Sequence, residues 1–223
     1  MNHPADFQTP PQIIFSDESI LIINKPAGLL SVRDGYDQSL PYLSSILEKD
    51  WGKLWMVHRL DRETSGLMVL ARDPESHREL NRQFRDHLVT KRYHAVVQPV
   101  PAWEEITTDA PLLVNADRRH RTRVSATRGK PAKTVFRVIS KAEQTAMIEC
   151  QIFTGFRHQI RAHLYALGFA ILGDSLYQPS QLEAPTIPAR ILLHACQLGF
   201  SHPATEKKLL FNLPDPADFA DFN

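Results

Sequence analysis

The chain has 223 residues, 43% of them hydrophobic, with 26 Lys or Arg against 25 Asp or Glu and a formal net charge of +1. That length can bury one or two substantial cores, and the ordinary composition excludes a disordered or low-complexity chain. No run approaches the ~18 apolar residues that cross a bilayer, which excludes a helical membrane span and any membrane partner of that kind. The two cysteines, Cys150 and Cys196, stand far apart without metal-ligand spacing. They read as buried, reduced thiols of a cytoplasmic protein.

Residues 1–12 are polar and Pro-rich with no apolar h-region, and are expected to form a disordered or extended tail, not a secretory signal. Ile13-Ile14-Phe15 and Ile20-Leu21-Ile22-Ile23 read as two strands around a turn at Ser16-Asp17-Glu18, the second ended by Pro26 and Gly28. Lys25, at that end, is compatible with a solvated position. After a polar loop, Ser39 is expected to cap a short helix with Pro41 in its first turn, burying Leu40, Leu43 and Leu47. Two further apolar runs, Leu54-Trp55-Met56-Val57 and Leu67-Met68-Val69-Leu70-Ala71, read as short buried strands. Between them lies His58-Arg59-Leu60-Asp61-Arg62-Glu63-Thr64-Ser65-Gly66, far more polar than a hairpin turn needs. There a carboxylate, Asp61, is flanked by Arg59 and Arg62 and held between rigid elements. Local chemistry alone also fits an ion-paired surface hairpin.

Asp73-Pro74-Glu75 announces a helix, with a capping Asp, Pro at its first position and an acid near the positive dipole end. Leu80, Phe84 and Leu88 are expected to bury. Arg78, Arg82 and Arg85 line another side, as a phosphate-facing strip or as a solvated face. A strand over residues 90–97 carries Tyr93 on one face with Ala95 and Val97. From Arg118 to Lys133 there are seven cations and no acid, including Arg118, Arg119, Arg121, Arg123 and Lys130. Solvation alone is one reading of this stretch; local positive potential of this density favours the other, contact with RNA phosphates. Residues 134–139 and 146–153 read as a hairpin with Ala146, Ile148, Cys150 and Ile152 facing one way. A helix follows, burying Phe156, Ile160 and Leu164 and stopping at Gly168, with Arg157 and Arg161 one turn apart. A Pro-rich linker at 179–188 leads to strands over 191–200 and 208–213 around a His202-Pro203 turn. The acidic end, 214–223, is expected to fray.

The block His58-Arg59-Leu60-Asp61, followed by Thr64-Ser65-Gly66, resembles the signature of RluA-type pseudouridine synthases. Asn24-Lys25-Pro26-Ala27-Gly28-Leu29, Lys91-Arg92-Tyr93, Gly129-Lys130-Pro131-Ala132, His158-Gln159-Ile160-Arg161, Gly173-Asp174 and Leu192-Leu193-His194-Ala195 resemble further family blocks in the family order. The resemblance implies an α+β fold: a mixed, mainly antiparallel central sheet with flanking helices and loops around an RNA-binding cleft. It implies a single catalytic domain over 13–213, without the small RNA-binding domain that precedes it in many relatives. It also implies isomerisation of uridines in stem-loops of large-subunit ribosomal RNA, tRNA anticodon arms, or both. Asp61 is then the catalytic carboxylate, as nucleophile or as the group that handles the sugar intermediate. Tyr93 and Arg161 join it at the catalytic site, and Arg59 fills the stack left by the extruded base. The family's usual Arg after the Gly of the fifth block is replaced here by Phe156, with Arg157 one position later.

No cofactor and no metal are expected, because the chain has neither a Gly-rich phosphate loop nor a Cys/His cluster with metal spacing. The partner is RNA and the expected state a monomer. Two readings from other classes compete. Asp61 with Glu63 suggests a carboxylate-pair glycosidase, but this leaves the basic stretch without a purpose. A non-catalytic RNA-binding protein or RNA chaperone accounts for the charge, but not for Asp61, Tyr93 and Arg161 together.

Overall fold

A computed structural model of the chain describes residues 10–179 and 188–222. In chain order these form β1 (Gln12–Ser16), β2 (Ile20–Lys25), α1 (Leu43–Trp51), β3 (Trp55–Met56), β4 (Ser65–Ala71), α2 (Pro74–Arg85) and β5 (Thr90–Gln98). There follow β6 (Glu105–Thr108), β7 (Leu112–Leu113), β8 (Arg123–Val124), β9 (Thr134–Lys141), β10 (Ala146–Ile152) and α3 (Gln159–Ala166). The series ends with β11 (Ala170–Ile171), β12 (Leu193–Ser201), β13 (Lys208–Asn212) and a 3-10 helix over Ala217–Phe222. The expected tail at 1–12 and linker at 179–188 fall, apart from their ends, outside the described residues. The fold is α+β with mixed, mostly antiparallel pairing; a parallel bridge joins Leu30 and Tyr42. The chain packs as two compact units. The first holds residues up to Val89 with Ala195–Leu213; the second holds Thr90–His194 with the residues from Pro214 onward.

In the first unit the strand order is β1-β2-β4-β12, with β13 on β12. Ile20, Leu21, Ile22 and Ile23 are all fully buried, and every residue of β4 is buried. A strand covered on both faces has no use for alternation, which is why both segments read as unbroken apolar runs. Ile20, Ile22, Leu67, Val69, Leu80, Leu198 and Phe200 form one core cluster, with Phe84 packed on its edge. The α2 start is as the sequence foretells: Asp73 accepts from the Glu75 and Ser76 amides, and Pro74 needs no partner for its nitrogen.

Three local expectations in this unit fail. The first helix starts at Leu43, not after Ser39, whose hydroxyl is taken by Asp37; Leu43 and Leu47 bury as expected, but Leu40 precedes the helix. Leu88 lies beyond the end of α2 and is 59% exposed, because the helix that would have turned it inward stops at Arg85. The run at Leu54 yields only the two-residue, half-buried β3. The arginines of α2, Arg78, Arg82 and Arg85, are exposed on one helix, where Arg82 pairs with Glu79 at 2.7 Å and Asp86 at 3.5 Å, and Arg85 with Asp86 at 3.1 Å.

In the second unit the order is β5-β10-β9-β6, with β11 also on β5. Antiparallel register sets Cys150 opposite Tyr93, Ile148 opposite Ala95 and Ala146 opposite Val97. All of these are buried, and both cysteines are free thiols. The C-terminal segment corrects the expectation of fraying. Phe219 is buried among Val96, Met147, Leu172 and Leu192, and Asp218 takes a two-pronged bond from Arg190 at 2.7 and 2.8 Å. An apolar anchor beside an ion pair outweighs the entropy of a free end.

Candidate functional site

The loop between β3 and β4 carries Asp61, and its shape is set from outside. Leu60 is buried, and Ser31 brackets it: the Leu60 amide donates to Ser31 Oγ at 3.1 Å, while that hydroxyl donates to the Leu60 carbonyl at 2.8 Å. With Leu60 turned inward, Arg59 is exposed and Asp61 half-buried. The His58 ring stacks on Phe84 at 4.6 Å, and its Nε2 accepts the Val69 amide at 3.1 Å, which ties the start of the loop to β4. The Thr64 amide donates to the Asp61 carbonyl at 3.1 Å, closing a turn directly after the carboxylate.

Lys25 pins that turn. The possibility of a solvated strand end is wrong: Lys25 is fully buried, and its ammonium donates to the carbonyls of Pro26 and Leu29 at 2.8 Å each and of Arg62 at 3.1 Å. Three N–H groups meet three carbonyls, which offsets the loss of water around the charge. The Gly28 amide also donates to the Arg62 carbonyl, and Arg62 Nε to the Gly28 carbonyl. The Asn24–Leu29 stretch therefore serves as a cradle for the Asp61 turn. Gly66 closes the loop with φ +119, and any Cβ there would collide with the backbone of Ala195 on β12.

In the second unit, Tyr93 lies buried on β5. Two residues before it, Lys91 is buried and donates to the Thr154 carbonyl at 3.2 Å. Burial pushes its ammonium down from 10.5 to about 8. The unfolded chain therefore holds this proton between pH 8 and 10.5 while the folded chain gives it up, so stability rises with pH across that window. Below it the folded protein carries the full penalty, on the order of 3 kcal/mol at ~1.4 kcal/mol per pH unit. Lys91→Met should accordingly gain most over wild type below pH 8, with the gap narrowing toward pH 10.5. Denaturant midpoints measured across that range check it, and a gap that ignores pH would refute it.

Arg161 sits on α3 with its guanidinium buried. It meets Asp174 in a two-pronged pair, Nε to Oδ2 and Nη2 to Oδ1, both at 2.7 Å, with side-chain exposures of 5% and 0%. Asp174 Oδ1 also accepts the amides of Leu176 and Tyr177 at 2.8 and 3.0 Å, and the Tyr177 ring lies under the Arg161 guanidinium at 5.1 Å. Gly173, at φ +77, lets this turn pass against the Arg190 carbonyl, where a Cβ would collide. Arg157 does not share the helix with Arg161. It precedes α3, is exposed, and reaches Asn115 Oδ1 at 3.2 Å. Phe156, also ahead of the helix, packs with Leu112, Ala132, Ala162 and Tyr177. The replacement of the family's Arg has thus become a core contact.

The basic stretch forms the loop from β7 to β8 and the turn after it. Arg118, Arg119, Arg123, Arg128, Lys130 and Lys133 are exposed. Asp117, just ahead of the acid-free run, organises the loop: it accepts the Arg119 and Arg121 amides and pairs with Arg121 Nε at 2.7 Å and Arg123 at 3.0 Å. Despite desolvation pulling the other way, the Arg121 bonds hold its carboxyl down at about 2. Arg121 is half-buried and is the least available of the seven cations.

Arg59 and Asp61 thus share one loop of the first unit, while Tyr93, Arg157, Arg161 and the basic residues belong to the second. Sequence reasoning does not find Ser31, Thr122, Asp174 and Tyr177 as site-shaping residues. Ser31 leaves no local signal, since it acts on a residue 29 positions away. The turn signal of Gly173-Asp174 is legible, but its ion pair is not. Among the described residues no helix is long and apolar enough to cross a membrane, and no group of three His, Cys, Asp or Glu is placed to hold a metal ion.

A sequence profile described as RNA pseudouridylate synthase matches residues 19–166. The dual-specificity RNA pseudouridine synthase RluA of Escherichia coli K12 is 38% identical over 216 residues, covering 94% of this chain and 97% of that protein. The ribosomal large subunit pseudouridine synthase D of Zymomonas mobilis is 36% identical over 234 residues, 97% of this chain and 72% of that one. Among solved structures, human RNA pseudouridylate synthase domain containing 4 shares 27% identity at a TM-score of 0.75, covering 94% of this chain and 90% of that chain. Human RNA pseudouridylate synthase domain containing 1 matches at 0.78 with 23% identity, covering 97% and 86%, and speaks for the fold alone.

Proposed function

Because the chain belongs to the RNA pseudouridylate synthase family, we propose that it isomerises specific uridines in stem-loops of large-subunit ribosomal RNA, of tRNA anticodon arms, or of both, with Asp61 as the catalytic carboxylate. The observation that carries the assignment is the support of the Asp61 turn by Lys25, Ser31 and His58. A surface hairpin held by ion pairs needs no buried ammonium beneath it. A carboxylate that must meet a sugar–base junction at fixed geometry does.

The reaction breaks the bond from ribose C1′ to uracil N1 and forms one from C1′ to C5. The proton lost from C5 is balanced by the one gained at N1. The atoms balance without oxidant, reductant or co-reactant, so the protein supplies position and charge. Asp61 acts at C1′, as nucleophile or on the sugar intermediate. Tyr93 serves proton transfer or stacks on the base, and Arg161 contributes the opposite charge. A uridine in a stem-loop must leave its stack at a cost of a few kcal/mol, and Arg59, exposed one residue before the buried Leu60, is assigned to the space it vacates. The reading includes a cytoplasmic monomer that uses no cofactor. Mapping pseudouridines in total RNA with and without the gene tests it: one or more sites should vanish, and an unchanged map would refute the activity.

The exposed cations Arg118, Arg128 and Lys130 are assigned to phosphates. Removing one cation–phosphate interaction flattens the dependence of log affinity on log salt by about 0.7 to 0.9. Changing all three to Ala should flatten that slope by about two units and weaken binding to every RNA substrate. Affinities measured across a salt series decide it, and an unchanged slope would reduce the stretch to a solvated surface.

A further inference from the structure

The basic loop and Arg161 are far apart in sequence yet rest on the same short turn, residues 174–177. On one side of the turn, Asp174 holds the Arg161 guanidinium and the amides of Leu176 and Tyr177. On the other, the loop reaches across: Arg119 Nη2 donates to the Ser175 carbonyl at 3.3 Å and Arg121 Nη1 to the Leu176 carbonyl at 3.5 Å. At the centre is the Tyr177 hydroxyl. It accepts the Thr122 amide at 2.7 Å, lies 3.1 Å from the Thr122 carbonyl, and lies 3.1 Å from His158 Nδ1. A hydroxyl has one hydrogen and two lone pairs. All three contacts are satisfied when it donates to the carbonyl and accepts from both nitrogens, which assigns the proton of His158 to Nδ1.

Tyr177 and Thr122 are almost fully buried, whereas Arg119 beside them is exposed. His158, the residue before α3, has a left-handed backbone at φ 55, a conformation that persists in a non-glycine residue only when its surroundings hold it. The holders here are Tyr177, through the side chain of His158, and Thr122, whose hydroxyl donates to the neighbouring Arg157 carbonyl at 2.7 Å. One buried hydroxyl therefore links the RNA-facing loop, the entry of α3 and the turn that carries Arg161's partner.

We propose that Tyr177 is a positioning residue that couples RNA contact at the Asp117–Arg123 loop to the placement of Arg161. The inference rests on the reading of Arg161 as a residue of the active site. Its physical basis is a bridge. The exposed Arg119 guanidinium has five N–H donors, so an RNA phosphate can fix it while it still holds the Ser175 carbonyl. Fixing Arg119 steadies the 174–177 turn, and Tyr177 transmits this because its hydroxyl is bonded to the loop and its ring lies under Arg161. A ligand shifts such an equilibrium only through a difference in bonding between two states, and the phosphate bond at Arg119 is that difference. The loop then does more than concentrate RNA; it helps set the rate of the bond-breaking step.

A double-mutant cycle tests the coupling. Tyr177→Phe keeps the ring under Arg161 and removes only the hydroxyl; Arg119→Ala removes the phosphate contact. Single-turnover rates are read at saturating RNA, with a stem-loop holding a uridine that wild type converts. Each single change should lower the saturated rate by about tenfold, and the double variant should be no slower than Tyr177→Phe alone. Affinity should fall with Arg119→Ala but change by less than about threefold with Tyr177→Phe. Multiplicative rate losses would overturn the coupling, as would a Tyr177→Phe variant with a normal saturated rate and only lower thermal stability. Should Tyr177→Phe not fold, Thr122→Val, which removes the tie to Arg157, takes its place in the same cycle under the same criteria. Failure of the underlying reading looks different: wild type would make no pseudouridine, or Arg161→Ala would keep the full saturated rate.

Discussion

Asp61→Asn is expected to abolish pseudouridine formation while changing RNA affinity by less than about tenfold, ~1.4 kcal/mol. The substitution keeps the shape of the side chain, removes its charge and replaces one acceptor oxygen by an NH2 donor. The contacts that shape the loop engage its backbone. Ser31 brackets the Leu60 backbone, Lys25 binds carbonyls, and Thr64 closes the turn on the Asp61 carbonyl and not on its carboxylate. The loop should therefore keep its form. An amide oxygen cannot serve as a nucleophile at C1′ or stabilise a cationic sugar as a carboxylate does, so the loss should fall on the chemical step. Tritium release from RNA labelled at uracil C5 reports that step, and filter binding reports affinity. Appreciable turnover by the Asn variant would remove Asp61 from its role. A non-catalytic RNA-binding protein would have no step to lose.

Asp174→Ala is expected to destabilise the protein by about 3–5 kcal/mol, the usual result of leaving one member of a buried ion pair without its partner. The pair is almost free of solvent, and Asp174 also takes the Leu176 and Tyr177 amides. The variant would strand a guanidinium and two N–H groups together. Urea unfolding should show a lower midpoint at an unchanged slope. Replacing both members, Asp174→Leu with Arg161→Met, should recover much of the stability, because no charge then remains buried. Catalysis should stay lost in the double variant, since the charge proposed to act at the site is gone. A loss below about 1 kcal/mol in Asp174→Ala would mean the pair is solvated in solution, contrary to its burial.

What the sequence determined by itself follows from short-range physics. The start of α2 is written in Asp73-Pro74-Glu75 because capping and dipole effects act within one turn. Strands β2 and β4 are legible because burial on both faces demands an unbroken apolar run. The Asp61 loop is legible as a candidate site because its composition departs from what a turn between two strands requires. The same local rules failed at Ser39 and Leu88, where a competing side chain and an early helix end moved the boundary.

Only the tertiary structure decided how charges are spent. Lys25 looks the same in sequence whether it meets water or three carbonyls, and the fold chose the carbonyls. The basic stretch looks uniform, yet Asp117 takes up Arg121 and Arg123 while Arg118, Arg128 and Lys130 stand exposed. Arg161 and Asp174 are 13 residues apart, and Tyr177 and Thr122 are 55 apart, with no periodicity joining either pair. The energy of a buried ion pair or hydroxyl depends on which groups exclude water from it. Residues distant in the chain supply that exclusion, so the partners of Arg161 became visible only once the fold had brought them together.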